Sequence, residues 1–273
     1  MPGKPDLSCW TDAKLAACWL GHATVLLKVG ALTMLTDPVF SRRVGLGLGF
    51  ATMGPARIVA PSLRLRELPA VDIVLLSHAH FDHLDRPTLW QLASHFPKAA
   101  LITAAGLNDL TCDLPFAQRV EVKLGESITL VNTTFTAWPV RHWSARMIRD
   151  THREACSFLI ERSSRRVLFG GDSAFGDHWT PIGRQGGVDL AIVGIGAYDP
   201  WIDGHASPEQ AWKMAVEHAR ARHMLAMHHS TFKLSVEPMR EPMERLLRIA
   251  GADSHRIVAS TIAHCWCDPR ASE

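Results

Sequence analysis

Residues 71–85 read VDIVLLSHAHFDHLD, and this stretch decides the fold. Its first part, from Ile73 to Leu76, is a short apolar run of the kind that forms a buried β-strand. Four potential metal ligands follow this run: His78, His80, Asp82 and His83. Burying several imidazoles and a carboxylate without a partner would cost several kcal/mol, so the motif predicts a bound metal ion at the end of the strand.

The spacing within the motif divides these ligands between two places. His78 and His80 are two residues apart, so their side chains leave an extended chain on the same side. Asp82 and His83 follow after the chain turns, and they can point at a second ion nearby. Imidazole and carboxylate ligands favour zinc, and iron or manganese would also suit them.

The length and composition are those of one globular domain, which we assign to residues 1–273. The chain is 47% hydrophobic and 21% charged, and its net charge of +2 gives no sign of a nucleic-acid partner. The start, MPGKPDLSCW, lacks the apolar core of a signal peptide, and no apolar run is long enough to span a membrane. We therefore expect a cytoplasmic protein without a transmembrane segment, and peripheral membrane contact stays open.

The cysteines are scattered along the chain and do not predict a disulfide framework, and Cys265-Trp-Cys267 gives only a weak hint of a metal or redox site. The six are Cys9, Cys18, Cys112, Cys156, Cys265 and Cys267. In a long chain this scatter favours a reducing compartment. The pair at the C-terminal end is interpreted as two thiols without a role.

The rest of the chain alternates predicted strands with predicted helices. Strands are expected at residues 15–29 (one or two strands), 32–36, 99–103, 128–138, 156–160, 166–169, 188–195 and 224–227. Helices are expected at residues 87–96, from a capping box at Ser207 and Gln210 to about Arg222, and at residues 239–250. This alternation favours a layered α/β domain.

A glycine-rich apolar stretch, VGLGLGFATM at residues 44–53, allows two interpretations. It could be a buried crossover in the core, or a mobile apolar loop over a substrate cleft. Arg42, Arg43 and Arg57 flank it, and no Lys-Ser or Lys-Thr pair follows, so it is not a phosphate-cradling loop of the nucleotide-binding kind.

Further potential ligands stand where other predicted strands end: His142, Asp172 and either His228 or His229. With the four of the central motif they make seven positions, the number that suits two ions sharing one carboxylate and one hydroxide. His22 and Asp37 also lie near strand ends. We expect His22 to lie near the metals and to contact the substrate, with a purely structural role as the alternative, and Asp37 to hold a ligand histidine by a hydrogen bond.

Together these motifs resemble the metallo-β-lactamase superfamily, and within it the branch of N-acyl-phosphatidylethanolamine-hydrolysing phospholipase D and its bacterial relatives. The resemblance covers most of the chain. Its segments are WLGHATVLL (19–27), LTDPVFSRR (35–43), GPARIVAPS (54–62), LPAVDIVLLSHAHFDHLD (68–85), RHWSAR (141–146), GGDSAFG (170–176), GIGAYDPW (194–201), HASPEQA (205–211) and HHSTFKL with the following EP (228–238).

The resemblance implies a fold and a ligand set. The fold is an αββα sandwich of two mixed sheets flanked by helices, with the site at one edge. The first ion is held by His78, His80 and His142, and the second by Asp82, His83 and His228, with Asp172 bridging them. His228 is implied over His229 because His229 stands where the family usually has Trp.

The resemblance also implies a di-metal phosphodiesterase of phospholipase D type, in which a metal-bridging hydroxide attacks a small-molecule or lipid-like phosphodiester. Asp82 would orient or deprotonate the attacking water. His205 would be an acid or a substrate contact, or else a surface histidine at a helix entry. Arg146 would contact the phosphate, or else brace its loop through an ion pair.

Two other functions stay open. One is a lactonase or another hydrolase on the same site, since phosphodiester hydrolysis and lactone hydrolysis would use the same metal ligands. The other is a metal-dependent binding or sensing protein without turnover, against which the complete ligand set argues.

Overall fold

A computed structural model describes residues 2–47, 49, 51–147, 150 and 152–270. Its strands are β1 (Leu15–Gly21), β2 (Thr24–Val29), β3 (Leu32–Thr36), β4 (Leu46–Gly47), β5 (Thr52–Met53), β6 (Ile73–Leu76), β7 (Ala100–Ala104), β8 (Gln118–Val122), β9 (Ser127–Leu130), β10 (Thr133–Pro139), β11 (Cys156–Arg162), β12 (Arg165–Phe169), β13 (Val188–Gly194), β14 (Ala221–Met227), β15 (Ile257–Val258) and β16 (Cys265–Cys267). Its α-helices are α1 (Arg86–His95), α2 (Asn108–Thr111), α3 (Thr180–Arg184), α4 (Pro208–Lys213) and α5 (Glu241–Ala250).

The larger strands form two mixed sheets. The first has the order β16-β1-β2-β3-β6-β7-β8, and the second has the order β15-β14-β13-β12-β11-β10-β9. In the first sheet β3, β6 and β7 are parallel neighbours, and in the second β12, β13 and β14 are parallel neighbours. Parallel strands need crossover connections, and α1 makes one of them between β6 and β7.

The second sheet shows the alternation that a layered fold requires. In β12, Val167 and Phe169 belong to the core that contains the first sheet's side chains, whereas Leu168 belongs to the core formed with the helices. Successive side chains on a strand point to opposite faces, so one strand serves both layers. Trp179 and Leu246 cover the outer face from the helical layer. The fold is therefore the expected αββα sandwich.

Most of the predicted elements are confirmed, and two boundaries are wrong. The strand expected at residues 128–138 is two strands, because Val131 and Asn132 adopt positive φ angles of 49° and 54° and turn the chain back. The helix expected to reach about Arg222 begins at its capping box but ends after a π-helical turn, Met214–His218. The following residues, from Ala221, already belong to β14.

The prediction that the cysteines form no disulfides is wrong. Cys9 pairs with Cys267, and Cys18 pairs with Cys265. The C-terminal strand β16 runs antiparallel to β1 and places Cys18 directly opposite Cys265. Partners from opposite ends of the chain thus meet through sheet order, which sequence spacing does not reveal. The C-terminal pair therefore joins the two ends of the chain instead of being without a role.

The interpretation of residues 44–53 as a buried crossover is also wrong. Strands β4 and β5 pair with each other as a separate two-stranded sheet, and Leu46 and Met53 are exposed. Val44 is buried and anchors the start of this stretch. Leu48 and Phe50, two apolar residues of the loop that could cover a substrate cleft, lie outside the described residues.

Candidate metal centre

The predicted ligands meet because their strands end at the same edge of the sandwich. The central motif follows β6, and Asp172 and His228 follow the parallel strands β12 and β14. His142 follows β10, which is antiparallel to β11 as β11 is to β12, so β10 runs in the same direction as β12. The two sheets thus bring all seven side chains to one place.

A first cluster contains three histidines. The Nδ1 atom of His80 lies 2.9 Å from Nε2 of His78 and 3.1 Å from Nε2 of His142. Ring nitrogens of this kind normally avoid such close approach unless they share a proton or a cation. Three converging imidazoles are a common ligand set for zinc. These three residues can therefore hold one ion.

A second cluster lies beside the first. The Nε2 atoms of His228 and His83 lie 3.3 Å and 3.5 Å from Oδ2 of Asp82. Oδ2 of Asp172 lies 3.0 Å from Nε2 of His83 and 3.1 Å from Nε2 of His228. The second cluster thus offers two imidazoles and two carboxylates to one point.

Asp172 stands between the clusters. Its Oδ2 atom, close to the second cluster, is also 3.9 Å from Nε2 of both His78 and His142 in the first. This carboxylate is the only predicted ligand that the sequence assigned to both ions. Its placement is what a bridge between two ions requires.

Unpaired polar atoms test whether a metal would fit. Within the described part of the chain, Oδ1 of Asp172 is buried and has no hydrogen-bond partner, and Nε2 of His83 makes no well-aligned hydrogen bond although Oδ2 of Asp172 lies 3.0 Å away. A buried polar atom without a partner costs about 1–3 kcal/mol. Metal coordination would satisfy both atoms, so the residues present fit a metal centre.

The protonation states of the first cluster suit metal binding. Burial lowers the pKa of His142 to about 3 and that of His78 well below its ordinary value. Both imidazoles therefore stay neutral and keep a lone pair free for a metal. Burial alone would also lower the pKa of His228, but the Asp172 carboxylate outweighs it and raises that pKa to about 9. His228 therefore carries a proton in the metal-free protein, and it would release that proton when it binds an ion.

Asp37 orients side chains of both clusters. Its Oδ2 atom lies 2.6 Å from Nδ1 of His83 and accepts a hydrogen bond of 2.6 Å from the Ser77 hydroxyl. Ser77 Oγ lies 2.8 Å from Nδ1 of His78. One buried carboxylate therefore fixes the ring of His83 directly and that of His78 through Ser77. The sequence suggested Asp37 for this role but missed Ser77, whose only signal was its place between an apolar strand and the first histidine.

Two other predicted site residues lie at the clusters. His22 Nε2 is 3.0 Å from Oδ2 of Asp82, and the His22 side chain is almost fully buried. His205 Nδ1 is 3.8 Å from Oδ2 of Asp172, and burial lowers the pKa of His205 to about 4. His205 is therefore a neutral imidazole beside the proposed bridge and not a histidine exposed at a helix entry.

Arg146 lies outside the cavity at the clusters. Its Nη1 donates to the Ala79 carbonyl at 3.1 Å, and its guanidinium lies 4.1 Å from the centre of the Phe81 ring. Both partners belong to the HAHFDH turn. These contacts favour the bracing role over the phosphate contact, the two alternatives expected for Arg146, although the partners are a carbonyl and an aromatic ring instead of an ion pair.

His229 faces away from the clusters. Its ring centre lies 4.5 Å from that of Trp19, and its Nδ1 lies 2.8 Å from the Ser230 hydroxyl. The neighbouring His228 has a positive φ of 61°, so the chain turns sharply at this residue. This turn separates the directions of the two imidazoles, and of the two only His228 reaches the second cluster.

A cavity of about 210 Å³ opens onto both clusters. Its lining combines ligand-type side chains with apolar ones. The lining residues are His80, Asp82, Trp143, Asp172, Ala197, Trp201, His205, His228 and Leu234. Trp143 and Trp201 are about half exposed at the mouth. The sequence did not single out Trp201 or Leu234, because single apolar residues in loops carry no pattern.

Comparisons with known proteins agree with this geometry. The model of a β-lactamase superfamily domain matches residues 33–229. The chain belongs to the metallo-β-lactamase superfamily. It is therefore a metal-dependent hydrolase of that superfamily, with a candidate centre formed by its motif residues.

Curated relatives resemble most of the chain. An uncharacterised protein of Mycobacterium tuberculosis is 33% identical over 270 residues, which are 97% of this chain and 72% of the relative. N-acyl-phosphatidylethanolamine-hydrolysing phospholipase D 1 of Caenorhabditis elegans is 31% identical over 89% of this chain and 71% of its own length. The mitochondrial phospholipase D of that name from Saccharomyces cerevisiae is 32% identical over 85% of this chain but 51% of its own length.

A solved structure shares the fold. The metallo-hydrolase Igni18 from Ignicoccus hospitalis superposes with a TM-score of 0.71 over 94% of this chain and 99% of its own, at 16% identity. Among the described residues, no helix has the length and apolar character needed to cross a bilayer.

Proposed function

We propose that this protein is a di-metal phosphodiesterase of phospholipase D type, with zinc as the first expected metal. The observation that carries the proposal is Oδ2 of Asp172, which lies within 3.1 Å of the second cluster's imidazoles and 3.9 Å from two of the first cluster's. Similarity to two phospholipases D over most of the chain supports this substrate class.

In this proposal the first ion is held by His78, His80 and His142, and the second by Asp82, His83 and His228, which form a group of possible ligands together with His22. Asp172 would be shared, because its Oδ2 atom lies near imidazoles of both clusters. When bound, the two ions would lower the pKa of a shared water and offset charge on the phosphate oxygens. Asp37 and Ser77 already orient the rings of His83 and His78, so these two ligands would need little reorganisation.

Two side chains would manage protons and orientation. Asp82 lies in the cavity wall and can accept the proton of the attacking water while it holds the second ion. His205 lines the same wall, and as a neutral imidazole it can donate a hydrogen bond to an oxygen of the substrate. The substrate would be a small-molecule or lipid-like phosphodiester whose apolar part rests on Trp143 and Trp201.

A lactone or another carboxylic ester is the second candidate substrate. The observation that favours it is the wall of the cavity, which has no Lys or Arg among its described lining residues. A neutral ester needs no cationic side chain, whereas a phosphodiester would depend on the ions alone for compensating charge.

The test is zinc reconstitution followed by a substrate panel. We expect close to two zinc ions per chain by elemental analysis. The loaded protein should cleave bis-(p-nitrophenyl) phosphate and an N-acyl-phosphatidylethanolamine in mixed micelles faster than a set of lactones. Turnover of lactones alone would transfer the assignment to the second candidate, and only trace zinc after reconstitution would refute the metal centre.

We further expect Trp201→Ala to weaken binding of substrates with a large apolar group. The indole lines the cavity and is not itself a predicted ligand, so we expect its loss to remove binding that the ground state and transition state share. KM for the acylated phosphodiester should rise roughly tenfold, equivalent to about 1.4 kcal/mol, with kcat little changed. Trp90→Ala is the matched control, because Trp90 is also half exposed but lies on α1, away from this cavity. A fall in kcat with unchanged KM would contradict this role.

A further inference from the structure

His22 occupies the turn between β1 and β2 in a strained conformation. Its φ of 53° lies in the left-handed region, which costs a residue with a side chain about 1–3 kcal/mol unless its surroundings impose it. Three hydrogen bonds impose it here. The His22 N–H donates to Thr231 Oγ1 at 2.7 Å, and its carbonyl accepts from the Trp19 indole at 2.8 Å and from the His228 N–H at 3.1 Å. The main chain of His22 thus holds the main chain of His228.

The side chain of His22 reaches a different element. Its Nε2 lies 3.0 Å from Oδ2 of Asp82, and its ring packs edge-on against Phe232 with 5.1 Å between the ring centres. The residue is 1% exposed and does not line the cavity. Substrate in the cavity would therefore not touch His22, which leaves the sequence-based expectation of a substrate contact without structural support.

We propose that His22 is a positioning residue of the second metal site, whose imidazole orients Asp82 and whose carbonyl orients His228. This role rests on the proposed assignment of the second ion. Asp82 follows β6 in the first sheet and His228 follows β14 in the second, so the chain itself does not fix the distance between them. His22 touches both and sets their separation. The N–H at Nε2 of the His22 ring also restricts rotation of the Asp82 carboxylate. Without this hydrogen bond, either carboxylate oxygen could face the ion.

Two substitutions separate this role from a merely structural one. His22→Phe keeps a planar ring against Phe232 but removes the ring N–H that faces Asp82. His22→Gln places an amide N–H near the position of Nε2 and restores the donor, although an amide is a poor zinc ligand. His95→Gln is the matched control, because His95 is exposed on α1 and remote from the clusters.

The measurement is the zinc affinity of each site by chelator competition, with the visible spectrum of the cobalt-substituted protein as a second readout. We expect His22→Phe to lower the zinc affinity of the second site about 10- to 100-fold, which is the usual effect of losing a hydrogen-bond partner of a metal ligand. The zinc affinity of the first site should be unchanged. His22→Gln should retain most of the affinity and the cobalt spectrum. Melting curves check that each variant is folded.

Three results would overturn the proposal. If His22→Phe binds both ions as the wild type does, His22 does not position Asp82. If His22→Gln loses the second ion as completely as His22→Phe, His22 is itself a metal ligand. If the wild type binds fewer than two ions, the metal assignment fails and this role fails with it, and that outcome is distinct from the other two because it appears without any substitution.

Discussion

Asp172→Ala is expected to reduce hydrolysis to the background rate of the metal-free protein and to lower the zinc content at both sites. Asp172 offers Oδ2 to His83 and His228 at 3.0 and 3.1 Å, and its Oδ1 is buried without a hydrogen-bond partner among the described residues. Removing it takes away the carboxylate assigned to both ions. The two clusters would then bring two divalent cations together with only the Asp82 carboxylate left to offset their repulsion.

The experiment measures zinc per chain and hydrolysis of bis-(p-nitrophenyl) phosphate on the same preparation. Asp177→Ala is the control, since Asp177 follows on the same loop but is exposed. Asp172→Asn adds a test of charge, because it keeps the shape and loses the carboxylate. Retention of two ions and of most activity in the Asn variant would show that Asp172 does not bridge.

The fold was largely predictable because its decisive signals are local. An apolar run such as Ile73–Leu76 and the Ser207–Gln210 capping box act within a few residues, and both are confirmed. The errors fall where a contact between distant segments decides the outcome. The pairing of Cys18 with Cys265 depends on β16 lying beside β1, and the exposure of Leu46 depends on where the β4–β5 hairpin stands relative to the core.

The site was predictable to the level of its ligand-type residues and not to the level of its walls. Several histidines and aspartates at strand ends can be recognised in the sequence as site residues, because few structural roles explain such a group. Trp201 and Leu234 reach the cavity through loop conformations that no periodic pattern encodes. The sequence left the partners of Arg146 open for a similar reason, since a guanidinium can bind a phosphate, a carboxylate or, as here, a carbonyl and an aromatic ring.

The doublet at positions 228 and 229 gives the other large expected effect. His228→Ala should lose the second ion and reduce hydrolysis to background, because Nε2 of His228 lies 3.3 Å from Asp82 Oδ2 and 3.1 Å from Asp172 Oδ2. His229→Ala should keep both ions and most of the activity. Its buried ring packs on Trp19, so truncation should instead leave a cavity and lower the melting temperature by several degrees.

The two variants form a matched pair, since each removes one buried imidazole from the same turn. A general disturbance of the turn would affect both variants alike. If His228 is the ligand, His228→Ala should lose metal, whereas His229→Ala should keep its metal and lose stability. The readouts are zinc per chain, hydrolysis rate and melting temperature in zinc-loaded and zinc-free protein. Zinc should raise the melting temperature of His229→Ala more than that of His228→Ala, because ions that bind only the folded chain stabilise it. Loss of an ion from His229→Ala, with two retained by His228→Ala, would reverse the assignment of the ligand.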